Sequence, residues 1–144
     1  MYETVLVPTD GSDQSFRAAE EAIDLTAKDG TIHVLSVVEE LPLFKQSGEG
    51  AKLPEKDRTA EREYLEEATQ RIEELADTAG IDCESLVVEG VPYHEILTYA
   101  EEIDADAIVL GKRGSGLAAK DMLGSTTERV VRRASTTVIS VPQA

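Results

Sequence analysis

The stretch from Ala105 to Thr127, ADAIVLGKRGSGLAAKDMLGSTT, decides how the chain is read. An apolar run, Ala107-Ile108-Val109-Leu110, ends abruptly in Gly111. Gly114 follows after two residues, and after nine more comes Gly124-Ser125, just ahead of a helical pattern. Glycines placed after a strand let the backbone turn tightly and approach a ligand with no Cβ in the way. Several N–H groups pointing into one concavity beside a helix N-terminus make an anion site. The spacing predicts a phosphate cradle at the carboxyl end of a buried strand.

Outward from that strand, apolar runs and helical stripes alternate. Thr4 to Val7 is a run too continuous for a half-exposed strand and belongs in the middle of a parallel sheet. Ser12 can cap the helix that follows, whose face of Phe16, Ala19, Ile23 and Thr26 or Ala27 runs until Asp29-Gly30 stops it. Thr31 to Val38 is the second strand. From Glu39 to about Leu53 the pattern dissolves, as either a mobile loop over the site or a plain variable connection.

A long amphipathic helix is predicted from near Lys56 to Thr78, with Tyr64, Leu65, Ala68, Ile72, Leu75, Ala76 and Ala79 on its buried stripe and Gly80 at its end. Asp82 to Glu89 is a third strand. Pro92 opens a helix with Ile96, Leu97, Ala100 and Ile103 inward. A last helix, about Ser125 to Ala134, precedes a final strand, Thr136 to Val141. This alternation predicts a doubly wound α/β sheet with right-handed crossovers, its ligand beyond the strand carboxyl ends where strand order reverses. The pattern does not give the order itself.

Composition narrows the function. At 144 residues there is room for one domain, residues 1–144, and one core. No apolar run approaches the ~20 residues that span a bilayer, and the chain opens directly into a strand, so a cytoplasmic protein is expected. Asp and Glu number 29 against 14 Lys and Arg, a formal charge of −15. Such a chain repels nucleic acid and anionic membranes, and neither is expected as a partner. The excess of acid is either an ordinary solvated surface or the mark of a halophilic archaeon, where salt shortens the screening length to ~3 Å or less. Cys83, the single cysteine, is read as buried filler. His33 reads as a satisfied structural histidine and His94 as an exposed one. Two isolated histidines without cysteine or acid at metal spacing argue against zinc, and no Ser-His-Asp arrangement or G-x-S-x-G is visible.

The glycine spacing excludes two familiar loops. No lysine follows a glycine in the G-x-x-x-x-G-K-[ST] register, and Gly111, Gly114 and Gly116 stand in the reverse of G-x-G-x-x-G. What remains is G-x2-G-x9-G-S. The chain opens with Val5-Leu6-Val7-Pro8-Thr9-Asp10-Gly11-Ser12 and closes with Thr137-Val138-Ile139-Ser140-Val141-Pro142. Together these resemble a single-domain universal stress protein of the ATP-binding type over essentially the whole length. The resemblance implies a five-stranded parallel sheet of the adenine nucleotide α-hydrolase-like kind, in the order 3-2-1-4-5 with helices on both faces. Asp10 and the glycine loop would then meet.

The resemblance further implies ATP as ligand and a nucleotide site at Pro8, Thr9, Asp10, Val37, Gly111, Arg113, Gly114, Gly124, Ser125 and Thr126. Gly111 and Gly114 would admit amides to the α- and β-phosphates. Gly124, Ser125 and Thr126 would meet the terminal phosphates at a helix N-terminus; for the last two, simple capping is the plain alternative. Asp10 would lie near the ribose and the phosphates, a placement that suggests Mg²⁺ or Mn²⁺ held mainly through phosphate oxygens; its plain alternative is capping with Ser12. Val37 matches a position whose backbone meets adenine, though by itself it is a strand valine. Lys112 and Arg113 could offset phosphate charge, while Arg132 and Arg133 read as surface residues compensating the helix dipole. No catalytic residue is identified, so any hydrolysis should be slow. A homodimer joined through Thr136 to Val141 is also implied. Two rivals stand: a non-nucleotide dimeric interaction module of the same fold, and an adenylate-forming enzyme, for which the chain has no spare domain.

Overall fold

A computed structural model of the chain describes residues 1–39, 55–112 and 123–142. Its elements, in order, are β1 (Tyr2–Pro8), α1 (Asp13–Leu25), β2 (Thr26–Glu39), α2 (Glu55–Thr78), β3 (Asp82–Gly90), α3 (Pro92–Glu102), β4 (Ala107–Gly111), α4 (Ser125–Arg133) and β5 (Thr137–Val141). The strands form one sheet, ordered β3-β2-β1-β4-β5 and parallel throughout.

Successive strand residues point to opposite faces, so a strand buried along its whole length must be covered twice. Val5, Leu6 and Val7 of β1 are all fully buried. Val5 and Val7 pack with Ile32, Val34 and Val109 beneath Ala18, Ala19 and Ala22 of α1 and Ile72 and Ala76 of α2. Leu6 packs with Leu35, Ile108 and Leu110 beneath Ile96 and Ala100 of α3 and Val130 of α4. Helices thus cover both faces of the sheet.

Three expectations are corrected. The first helix stops at Leu25, not at Asp29-Gly30, because Thr26 turns extended and its hydroxyl donates back to the Ala22 carbonyl at 2.6 Å. The chain then enters β2 at once, and the ladder to β1 jumps from Tyr2↔Thr26 to Thr4↔Thr31, a bulge that absorbs the extra residues. On α1 the buried residues are Gln14, Ser15, Ala18, Ala19 and Ala22. Phe16 sits at their flank with the Arg71 guanidinium 4.0 Å from its ring centroid. On α2, Leu65, Ala68, Ile72 and Ala76 are buried as expected, but Tyr64 is 54% and Leu75 39% exposed, and Thr69 is buried instead. Apart from Glu39, the segment read from the sequence as a loop over the site lies outside the described residues.

Candidate functional site

β1 and β4 are neighbours, yet the chain leaves them in opposite directions, from β1 outward to β2 and β3 and from β4 to β5. Their own ladder stops at Leu6↔Ile108. On its other side β1 stays paired as far as Pro8↔Leu35, and β4 as far as Gly111↔Val141. The sheet is therefore split at the carboxyl ends of these two strands, where the winding reverses and a crevice forms.

One wall of the split is built from the end of β4 and the start of α4. Gly111 is buried, its carbonyl accepting from the Thr127 hydroxyl at 2.8 Å. The next carbonyl, Lys112, accepts from the Gly124 N–H at 3.0 Å, and the Lys112 N–H donates to Val141 at 2.8 Å. The two ends of the glycine motif are thereby clasped side by side. Gly124 is the N-cap of α4 and, lacking a side chain, makes no cap hydrogen bond; its φ is −65° and ψ 157°. Any residue adopts those angles, so the backbone does not demand a glycine there, and what a side chain would obstruct is close approach. Helix hydrogen bonding starts at Glu128 N–H to Gly124 C=O, so the preceding N–H groups, from Ser125 to Thr127, have no carbonyl of their own helix to reach. Ser125 is exposed and Thr126 half-buried. Arg113 and Gly114 lie outside the described residues.

The opposite wall is the turn after β1. Pro8 and Thr9 are buried and Asp10 is exposed. Every polar atom of Thr9 has a partner in the fold. Its N–H donates to Leu35, its carbonyl accepts from the Ser36 hydroxyl at 2.8 Å, and its own hydroxyl lies 2.7 Å from that of Ser15 while accepting from the Gly11 N–H. One carboxylate oxygen of Asp10 accepts from the Ser12 N–H at 3.0 Å, and Ser12 in turn caps α1 by accepting from the Ser15 N–H. The amides of Gly11 and Ser12 are thus already engaged. What this turn leaves exposed is the Asp10 carboxylate, not a nest of N–H groups. Val37 sits further along the same end of the sheet, half-buried and paired with Val88.

The first turns of α2 form a rim of charge at this end. Arg58 and Arg62 reach Glu89 at the end of β3, at 2.6 and 3.9 Å. Burial raises the Glu61 carboxyl above its usual range, and the Glu39 carboxylate adds to the shift. Among the described residues no group of three or more His, Cys, Asp or Glu could hold a metal ion. The residues away from the site behave as read. His33 Nδ1 lies 3.3 Å from the Tyr99 hydroxyl, His94 is exposed, Arg132 pairs with Glu128 at 2.7 Å, and Arg133 lies over the Tyr93 ring. Sequence reading missed Ser36, Thr127 and Tyr64, whose hydroxyls tie the two walls to the scaffold. The sequence signal for Ser36 and Thr127 is a hydroxyl near the end of a strand or at the start of a helix, whereas Tyr64 lies within α2 and carries no such signal.

An all-parallel sheet in this order defines the adenine nucleotide α-hydrolase-like fold. Within that class the chain belongs to the universal stress protein family, whose sequence model matches residues 1–142. It is 33% identical to universal stress protein MJ0531 of Methanocaldococcus jannaschii over 142 residues, 98% of this chain and 82% of that one. The solved structure of the M. jannaschii protein MJ0577 superposes with a TM-score of 0.86 at 23% identity, covering 100% of this chain and 98% of that one, a likeness of fold. A universal stress protein solved in complex with cAMP superposes with a TM-score of 0.70 at 27% identity, covering 99% and 98% of the two chains. No helix among the described residues is long and apolar enough to cross a membrane.

Proposed function

We propose that this universal stress protein is an ATP-binding regulator of the stress response, acting in the cytoplasm through nucleotide occupancy. The supporting observation is the clasp of Lys112 to Gly124, which sets both ends of G-x2-G-x9-G-S beside the split between β1 and β4. The first amides of α4 and its dipole would meet the phosphates, and Arg113 and Gly114, between Lys112 and Gly124 in sequence, would add to that contact. Asp10, in the turn after β1, would take a ribose hydroxyl or a Mg²⁺ or Mn²⁺ ion held mainly by phosphate oxygens. Pro8, Thr9 and Val37 would line the nucleoside side. The relative solved with cAMP supports an adenine nucleotide as the ligand class. No catalytic residue is assigned, and any hydrolysis would be slow.

The test is titration of the purified protein with labelled ATP and Mg²⁺ at high salt, with cAMP as competitor. Saturable binding below millimolar concentration is expected. Its absence overturns the reading and favours a non-nucleotide interaction module of the same fold. Gly124→Val should abolish binding while leaving helical circular dichroism intact, and wild-type affinity in that variant would show that the cradle lies elsewhere. The chain would pair through Thr136 to Val141, since among the described residues no strand lies beside the outer edge of β5. Light scattering should then give a dimer at micromolar concentration, and a monomer would refute that part.

A further inference from the structure

We propose that Tyr64, on α2, is a positioning residue of this site that acts on Asp10 through a single peptide unit; the inference rests on the nucleotide reading above. Amphipathic spacing assigns Tyr64 to the buried stripe, yet its side chain is 54% exposed and turned toward the loop after β1. Its hydroxyl donates to the Gly11 carbonyl at 3.2 Å. A Cβ on Gly11 would lie 2.5 Å from the Tyr64 Cε2 and 2.6 Å from its hydroxyl oxygen. The ring therefore rests directly on the glycine, whose φ of +82° also disfavours any side chain. Gly11 is explained by the tyrosine that covers it rather than by a ligand.

The Gly11 carbonyl and the Ser12 N–H belong to the same planar peptide unit. Tyr64 holds the oxygen of that unit, and the Asp10 carboxylate holds its hydrogen at 3.0 Å. The plane cannot rotate without breaking one bond or the other. A hydrogen bond to the carbonyl also polarises the amide and strengthens what its N–H donates. The remaining link, Gly11 N–H to the Thr9 hydroxyl at 3.1 Å, fixes the other side of the turn. Tyr64 thus sets the direction in which the Asp10 carboxylate points, and with it the hold of that carboxylate on the ribose hydroxyls, without reaching the nucleotide itself.

Tyr64→Phe keeps the ring and removes the hydroxyl. Binding of ATP and of 2′,3′-dideoxy-ATP, each with Mg²⁺, is to be measured by calorimetry on wild type, Tyr64→Phe, Gly11→Ala and Asp10→Ala. Wild type should prefer ATP. Tyr64→Phe should bind ATP roughly 3- to 10-fold more weakly, the scale of one hydrogen bond, and bind the dideoxy analogue as wild type does. Gly11→Ala should lose the same preference by displacing the ring, and adding Tyr64→Phe to Asp10→Ala should cost nothing further. In the ligand-free protein, the Ser12 amide should exchange faster with solvent in Tyr64→Phe than in wild type. If wild type binds no ATP, the nucleotide reading fails; the Ser12 exchange rate then decides the Tyr64 contact alone. An unchanged ATP-to-dideoxy ratio in Tyr64→Phe, or an unchanged Ser12 rate, overturns the role of Tyr64 even where ATP binds well.

Discussion

Cys83 shows how a single side chain can carry the pH dependence of the fold. It opens β3, half-buried against the core beneath α1 and α2. Burial pushes its thiol up from 9.0 to about 12, and the Glu73 and Glu84 carboxylates push the same way. The unfolded chain releases this proton near 9.0 while the folded chain keeps it to about 12. Between those values the unfolded state binds fewer protons, so stability falls as pH rises. Tyr99 adds to the trend, its hydroxyl raised by burial, then by Glu84 and Glu102. The urea midpoint should therefore decline above pH 9, and Cys83→Ala should decline less steeply. At pH 8 the native thiol should react with a disulfide reagent on the order of a hundredfold more slowly than in urea. Equal rates in the two states would show that the thiol is not shielded. The sequence allowed the buried reading of this cysteine, because one thiol without a partner has little use at the start of an apolar strand.

At the scale of elements, the junction of α1 and β2 is where sequence and structure part. Ala27-Lys28-Asp29-Gly30 has the composition of a helix stop, yet these residues form the bulged start of β2. The deciding interactions are the Thr26 hydroxyl on Ala22 and the pairing of Thr26 with Tyr2, and the second is a long-range contact that local spacing does not encode. Gly30 is needed there for space. A Cβ on it would lie 2.6 Å from the Glu3 carbonyl oxygen, a backbone atom that cannot swing aside. Gly30→Ala should cost about 1–3 kcal/mol in urea unfolding, the usual range for overpacking. An unshifted midpoint would mean that the bulge gives way freely. Strands β1 and β4 were legible because their apolar runs are buried on both faces, and β3 because Gly80 and Gly90 mark its ends. Of the candidate site, the strand end at Gly111 and the helix start at Ser125 were legible, since a glycine after an apolar run and the onset of a helical pattern are local signals. Its closure was not, because the clasp of Gly124 to Lys112 depends on how the intervening chain returns.

Across the whole molecule, the formal charge of −15 on 144 residues sets the terms for both stability and ligand approach. Carboxylates crowd the exposed side of α2, at Glu63, Glu66, Glu67 and Glu74. At its start, Glu61 is raised by burial and by Glu39, so full ionisation of that pair opposes folding. Exposed ion pairs such as Arg58–Glu89 return little, ~1 kcal/mol or less. The remaining remedy is screening, since the Debye length falls from ~10 Å at 0.1 M salt to ~3 Å at 1 M. If the chain comes from a halophile, its melting temperature should climb by several degrees between about 0.1 and 2 M KCl, on the order of 1 kcal/mol for a domain of this size. Glu61→Gln should raise the melting temperature in low salt and keep the larger part of that gain in high salt, because salt screens the Glu39 repulsion but not the burial cost, which contributes most. The same salt should strengthen ATP binding, as the field opposing a polyanion collapses faster than the local pull of the α4 amides. A melting temperature indifferent to KCl would show that charge repulsion does not limit the stability of this acidic chain and would remove the case for a salt-loving origin.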